Sequence, residues 1–226
     1  MPPETLHFAS RLSLLLVASL VFIILGLAGA HFFRRPVRDQ RLRFRLHQAG
    51  SLFFGFVHVA AAALSPLAGG KAVSAAIGLY LGGIALFLWT QETVKHAPPY
   101  LAFSGVAPEH LFVTGPYRFV RHPFYLSFMA VLFAVPIATW NAWLLASAFL
   151  MTLNYIGAAF EEEAAFVRTP YAERHRAYAH LTGMFAPRAR AWRPARFDRP
   201  WSAVTVAAIV VAIGLAVALL WELLPS

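Results

Sequence analysis

The 226-residue chain has no cysteine and few charged residues. Without cysteine it cannot form a disulfide scaffold, a thiolate metal site or a cysteine nucleophile, and the redox compartment stays undetermined. Asp, Glu, Lys and Arg make up 13% of the residues, whereas a soluble globular domain has about 25%. Hydrophobic residues make up 59%. This composition predicts an integral membrane protein, whose length forms membrane spans rather than a water-soluble core.

Acidic residues are the scarcer charged type, since 10 of them stand against 19 basic residues and leave a net charge of +9. In a soluble protein this charge would suggest nucleic acid as a partner. Here the arginines lie in short segments between apolar runs. We therefore interpret them as determinants of membrane topology that face anionic lipid. Membrane lipids, and no nucleic acid, are the expected partners.

Segments without charge define the predicted spans. A transmembrane helix needs about 20 residues, and uncharged segments of this order cover residues 12–30, 49–70, 72–91 and 202–221. A further 38 residues, 123–160, also lack Asp, Glu, Lys and Arg. As one helix they would be about 57 Å long, against a hydrocarbon core of about 30 Å. We therefore expect a tight hairpin of two helices, with its turn at 136–141 and with Trp140 and Trp143 at the membrane interface.

The predicted fold class is all-α: a polytopic membrane protein with about six transmembrane helices, of which the hairpin at 123–160 supplies two. The basic residues support this count, because all except Arg11 and Lys71 lie in loops 31–48, 92–122 and 161–200. By the positive-inside rule these loops are cytoplasmic and both termini periplasmic, as expected in a bacterial inner membrane. The chain then divides into N-terminal membrane helices (1–97), a central core (98–200) and a C-terminal membrane helix (201–226).

Two clusters of polar side chains flank the hairpin. Before it come Tyr117, Arg118, Arg121, His122 and Tyr125. After it come Glu161, Glu162, Glu163, Tyr171, Glu173, Arg174, His175, Arg176 and Tyr178. Since a tight hairpin brings its ends together, the two clusters should be neighbours. A site of mixed charge suits a zwitterionic ligand, with arginine holding an anion and tyrosine faces meeting a cation. Composition alone favours a simpler interpretation, in which these side chains are interfacial anchors.

Residues 115–125 read Gly-Pro-Tyr-Arg-Phe-Val-Arg-His-Pro-Phe-Tyr, and the apolar hairpin after them is followed by Glu162-Glu163. This pattern resembles the signature of the isoprenylcysteine carboxyl methyltransferase and phospholipid methyltransferase superfamily over roughly residues 98–188. Phe166 stands where that family usually has leucine. His175 stands where it has the first of two spaced tyrosines.

The resemblance implies a small integral membrane enzyme that uses S-adenosylmethionine as methyl donor. The acceptor would be lipophilic (a lipid, an isoprenoid acid or a thiol) and would be methylated at the cytoplasmic membrane face. The donor would come from the cytoplasm and the acceptor laterally from the bilayer. Neither the resemblance nor the histidine spacing suggests a metal, and none is expected. The identity of the acceptor stays open.

Roles for individual residues also follow from the resemblance. Arg121 and Glu162 are the expected catalytic residues. Binding of the donor is expected from Gly115, Tyr117, Arg121, His122, Pro123, Tyr125, Glu162 and Glu163. Contacts with the acceptor are expected from Arg118, Arg174 and Tyr178.

Two other functions fit parts of the sequence. A membrane sterol or enone reductase that uses NADPH carries a similar arginine-histidine-proline-x-tyrosine segment, although the paired glutamates after a hairpin fit a methyltransferase better. A non-enzymatic membrane accessory protein would retain the fold without needing His122 or Glu162.

Three further polar residues lie in or beside the apolar segments. His58 is interpreted as a hydrogen-bonding partner of a neighbouring helix, because a buried polar group in a membrane needs a partner. Asn154 is expected to bond between helices in the same way. His47 flanks the first basic loop and is interpreted as interfacial.

Overall fold

The structure, a computed structural model, describes residues 3–35 and 41–188, and within these ranges the regular structure is helical. The helices are α1 (Pro3–His31), α2 (Arg41–Leu64), α3 (Gly70–Val94), α4 (Pro123–Thr139), α5 (Ala142–Phe166) and α6 (Ala172–Leu181). A short 3₁₀ turn, Gly115–Arg118, precedes α4. The prediction of an all-α fold is confirmed. The expected last span, 202–221, lies outside the described residues.

Four of these helices are long and apolar enough to cross a membrane: α1, α2, α3 and α5. Helix α4 is apolar but has 17 residues, which corresponds to a length of about 26 Å. The hydrocarbon core is about 30 Å thick, so α4 is the short arm of the hairpin. The described part of the chain is thus a polytopic membrane protein, as the sequence predicted.

The hairpin turn is shorter than predicted. Only Trp140 and Asn141 separate α4 from α5, and Pro136 lies inside α4 rather than in the turn. Trp140 ends α4 in the left-handed conformation, with φ 50°. The Asn141 side chain then caps α5 by accepting hydrogen bonds from the backbone N–H groups of Trp143 (3.0 Å) and Leu144 (3.2 Å). An Asn cap satisfies amide groups that the first turn would otherwise leave unpaired.

Helices α5 and α2 each continue several residues into segments that the sequence assigned to loops. Helix α5 extends to Phe166, so Glu161–Glu163 lie on its last turns rather than in loop 161–200. Helix α2 begins at Arg41, inside the predicted loop 31–48. The physical reason is the same in both places. Glu, Ala, Arg and Leu have high helix propensity, and a helix that leaves the apolar layer can continue through them.

Helices α3 and α4 approach closely where α3 has Gly83. A Cβ atom on Gly83 would lie 2.9 Å from Val131 Cγ2 and 3.1 Å from the carbonyl oxygen of Ser127. Small residues allow this distance between membrane helices. The neighbouring Gly82 has open space around it.

We expect Gly83→Ala to destabilise the protein and Gly82→Ala to leave it unchanged or slightly more stable. The added methyl group at position 83 meets backbone and a β-branched side chain, and overpacking of this kind costs about 1–3 kcal/mol. Thermal unfolding of both variants in detergent measures the difference. Equal unfolding temperatures would contradict the close packing of α3 on α4.

Candidate active site

The two ends of the hairpin are joined by an ion pair between Arg121, just before α4, and Glu163, on the last turns of α5. Arg121 donates from Nε to Glu163 Oε1 at 2.6 Å and from Nη2 to Oε2 at 3.1 Å. Both side chains are largely buried, at 9% and 17% exposure. Arg121 Nη1 also donates to the carbonyl oxygens of Ala179 and Thr182, so every nitrogen of the guanidinium is bonded.

His122 and Tyr125 connect the same pair to Glu162. His122 Nε2 lies 3.0 Å from Glu163 Oε1, and its Nδ1 lies 3.8 Å from Glu162 Oε2. The Tyr125 hydroxyl donates to Glu162 Oε2 at 3.3 Å. The rings of His122 and Tyr125 stack, with centroids 5.5 Å apart and planes 9° from parallel. Glu162 is 39% exposed, so it is the more accessible of the two carboxylates.

The segment after α6 lies against the start of α4. The backbone N–H groups of Arg121 and His122 donate to the carbonyl oxygens of Gly183 (2.9 Å) and Met184 (3.2 Å). The Tyr178 hydroxyl donates to the carbonyl oxygen of Tyr117. Residues far from the hairpin in sequence therefore complete its polar end.

A pocket of about 430 Å³, here called the polar pocket, opens at this end of the hairpin. Its lining includes Tyr117, Arg121, His122, Tyr125, Glu161, Glu162, Arg168, His175 and Tyr178. The loop between α3 and the 3₁₀ turn supplies another wall. This loop is fixed to the end of α1, because Arg34 donates to Glu109 at 2.6 Å and Tyr100 donates to the same carboxylate at 3.1 Å. Both positively and negatively charged side chains thus line the pocket.

The predicted site residues do not all face the polar pocket. Arg118 and Arg174 are outside its lining, and so is Glu163, which is bonded to Arg121 instead. Gly115 shapes the 3₁₀ turn: its φ of +57° is in the left-handed region, and a Cβ atom there would collide with Thr93. Pro123 is the first residue of α4, where its missing N–H is harmless.

Arg168 and His110 are among the lining residues that the sequence did not predict. Arg168 follows α5 and is exposed, and its side chain makes no hydrogen bond or ion pair with another described residue. His110 lies in the loop wall. Neither belongs to a recognisable pattern, and only the position of Arg168 just after the glutamates could have indicated it.

Burial keeps the tyrosine hydroxyls of this site protonated. Burial, and then the nearby Glu162 carboxylate, raise the pKa of Tyr117 well above its usual value of 10. Burial also raises the pKa of Tyr178. At neutral pH these rings are therefore neutral phenols, which can donate a hydrogen bond and present an aromatic face but cannot act as bases.

Phe166 and His175, the two residues named above as departing from the family pattern, contact each other. The His175 ring stacks on Phe166, with centroids 4.2 Å apart and planes 6° from parallel. Burial is the main cause that lowers the pKa of His175, and the Glu163 charge opposes it. The imidazole at this position of α6 therefore packs face to face on an aromatic ring.

Residues 72–174 match the model of the phospholipid methyltransferase family. The match begins in α3, earlier than the resemblance that starts near residue 98, and includes Arg121, His122, Glu162 and Glu163. No curated protein and no solved structure matches the chain.

The described helices form a polytopic membrane protein, and its hairpin, with Arg121 and the paired glutamates, lies within the residues that match the family model. This match, over a little under half of the chain, confirms the resemblance to the membrane methyltransferase superfamily. Methyl transfer to a lipid-type substrate is the activity class that this family supports.

We expect Arg121→Gln and Glu163→Gln each to lower the free energy of unfolding by about 3–5 kcal/mol, because each leaves a buried partner charge uncompensated. The double variant should lose less than the sum of the two, since it removes both charges. Unfolding in detergent measures this cycle. The exposed pair Arg34–Glu109, at 44% and 48% exposure, is the matched control and should contribute little, because water screens it. Additive losses at 121 and 163 would show that the pair is not coupled.

Acidification should destabilise the protein through His175. Its pKa is lowered from 6.5 in the folded protein, so the unfolded chain binds the proton first as the pH falls below that value. Stability therefore decreases as the pH falls. We expect His175→Tyr to make the unfolding temperature less sensitive to pH between 7.5 and 5.5. The exposed His180 on the same helix provides the control, His180→Ala. A slope unaffected by His175→Tyr would rule out this contribution.

Proposed function

We propose that the protein transfers a methyl group from S-adenosylmethionine to a lipophilic acceptor at the cytoplasmic face of the membrane. One observation carries this proposal. The hairpin brings an accessible carboxylate, Glu162, together with two tyrosine rings, Tyr117 and Tyr125, around a pocket at the polar end of an apolar bundle.

The polar pocket has the size and chemistry for a small charged cosubstrate. Small-molecule sites have volumes of about 300–1,000 Å³, and this pocket has about 430 Å³. The ligand would carry an ammonium, a carboxylate, a sulfonium and a ribose diol. Carboxylates in the lining fit the ammonium and the diol, and neutral tyrosine faces fit the sulfonium cation. When bound, S-adenosylmethionine supplies a methyl group on a sulfonium with a thioether as leaving group.

Glu162 is proposed as the central ligand-binding residue. It lies in the pocket lining and is only partly engaged by Tyr125 and His122. An ionised carboxylate accepts hydrogen bonds and donates none, so Glu162 would bind an ammonium or a ribose hydroxyl. Tyr125 holds it in place through its hydroxyl.

Arg121 has a positioning role in this proposal. Because Glu163, Ala179 and Thr182 already engage all its nitrogens, it is poorly placed to bind a ligand carboxylate directly. It fixes His122 and Tyr125 against α5 instead. Arg168, which lines the pocket and is exposed, is the better candidate for the carboxylate of the donor.

The protein would act mainly by positioning the two substrates. Orientation of reactants can contribute about 7–11 kcal/mol to catalysis, and a bundle of packed helices is a rigid support for it. The donor carries its own leaving group, so no covalent nucleophile on the protein is needed. A carboxylate or thiolate acceptor needs no base. An amine acceptor must lose a proton, and in this proposal Glu162, held by the Tyr125 hydroxyl, accepts it.

We expect Glu162→Gln to weaken binding of S-adenosylhomocysteine about 10- to 100-fold, the effect of losing a hydrogen bond to a charged group. Its thermal unfolding should stay close to that of the wild type, because Glu162 is partly exposed. Radiolabelled methyl transfer into extracted membrane lipids should fall in parallel. Equilibrium binding of the labelled ligand to purified protein measures the affinity.

The control is Glu173→Gln, an exposed glutamate on α6, which should bind like the wild type. NADPH is tested beside S-adenosylhomocysteine, since a reductase would bind NADPH. Saturable binding of NADPH alone would replace the methyltransferase proposal, and unchanged affinity in Glu162→Gln would remove Glu162 from the site.

A further inference from the structure

A second and larger cavity, about 750 Å³ in volume, lies between α1 and α2 on one side and α4 and α5 on the other. We call it the apolar cavity, because its walls are mainly aliphatic and aromatic. Phe22 and Leu25 of α1, Phe54 of α2 and Leu132 of α4 are typical wall residues. Helices α1 and α2 precede the residues that match the family model. This cavity is therefore built largely from the part of the chain that the match does not cover.

A small space of about 50 Å³, here called the neck, lies between the two larger volumes. It shares Tyr117, Tyr125 and Glu162 with the polar pocket. It shares His47 and Tyr155 with the apolar cavity. Polar pocket, neck and apolar cavity thus follow one another with common walls. A molecule with an apolar chain in the cavity would place its polar end at the neck, beside Glu162.

His47 of α2 is fixed at this neck. Asn154 of α5 donates from Nδ2 to His47 Nδ1 at 2.9 Å, which confirms the predicted bond of Asn154 between helices. The ring also meets Phe103 and Tyr155 edge-on, with centroids 5.3 Å and 5.7 Å away. It is therefore half-buried among protein groups, although the sequence suggested a place at the interface.

The bond from Asn154 determines which nitrogen of His47 is available. Because Nδ1 accepts, a neutral imidazole carries its proton on Nε2. Within the described residues Nε2 has no protein partner, and His47 lines both the neck and the apolar cavity. The available group is thus a hydrogen-bond donor at the boundary between an apolar and a polar volume. It suits a ligand oxygen that accepts a hydrogen bond.

We propose that His47 binds the polar head of the methyl acceptor through Nε2–H, while the acceptor's apolar chain occupies the cavity between α1 and α2. The acceptor class is then a long-chain amphiphile with an anionic oxygen, a carboxylate or a phosphate, at its head. This inference rests on the proposed function. It assigns recognition of the acceptor to α2. Recognition of the donor is assigned to residues 72–174, which match the family model.

Two substitutions at position 47 separate this role from a structural one. In His47→Gln the side-chain amide N–H lies near the place of Nε2, and the bond from Asn154 is lost. In His47→Asn the side-chain oxygen lies near the place of Nδ1 and can keep that bond, while the Nε2 donor is lost. Ligand recognition and helix–helix bonding therefore predict opposite orders for the two variants.

The test uses the full chain in phosphatidylcholine vesicles with two probes, a diazirine-bearing palmitic acid and a phosphatidylethanolamine with a diazirine in its acyl chain. Saturation of photolabelling on the walls of the apolar cavity, read by mass spectrometry, gives the apparent affinity. We expect His47→Gln to stay within about threefold of the wild type and His47→Asn to weaken about tenfold or more. The probe with the stronger dependence on residue 47 identifies the head as carboxylate or phosphate. His31→Asn, at the exposed end of α1, is the control.

The reverse order, or equal labelling of all variants, would overturn the proposal and leave His47 as a packing residue. Binding of S-adenosylhomocysteine is measured on the same samples and should not change in any variant. If the wild type fails to bind S-adenosylhomocysteine, the proposed function falls, whereas the order of labelling still decides the role of His47. The two failures are therefore distinguishable.

Discussion

The ion pair between Arg121 and Glu163 is the contact on which the polar end of this protein depends. It joins residues 42 positions apart, at the two ends of a hairpin whose residues 123–160 include no Asp, Glu, Lys or Arg. Two charges removed from water are stable only if they are paired and fully hydrogen-bonded. Arg121 meets that condition through Glu163 and two backbone carbonyl oxygens. The pair therefore sets the distance between α4 and α5 at the site.

Because Glu163 neutralises Arg121, the adjacent Glu162 is left to face the pocket. Two neighbouring glutamates on one helix thus differ in environment: one is 17% exposed and paired, the other 39% exposed and held by a tyrosine hydroxyl. The two cavities also differ in environment. A pocket of mixed charge lies at one end of the bundle, and an apolar cavity extends between α1 and α2, with His47 at the boundary.

Membrane spans could be predicted closely because their cause is local. A segment without charge must be buried in lipid, and its length must match the bilayer, so composition and spacing are sufficient. The boundaries were less accurate at Arg41 and at Glu161–Glu163, where polar residues continue a helix. The turn was predicted at residues 136–141, with Pro136 as its first residue. Pro136 lies inside α4 instead, since Asn141 provides the cap for the next helix.

The sequence by itself determined the membrane class, the hairpin, the resemblance to the membrane methyltransferase superfamily and the meeting of Arg121-His122 with the glutamates. The first three follow from composition and local pattern. The last follows because a tight hairpin brings its two ends close together. Only the tertiary structure decided that Arg121 is bonded on every nitrogen, that Arg168 lines the pocket and that His47 reaches Asn154. Those contacts join residues as far as 107 positions apart, and their distances depend on how whole helices pack, which no local pattern encodes.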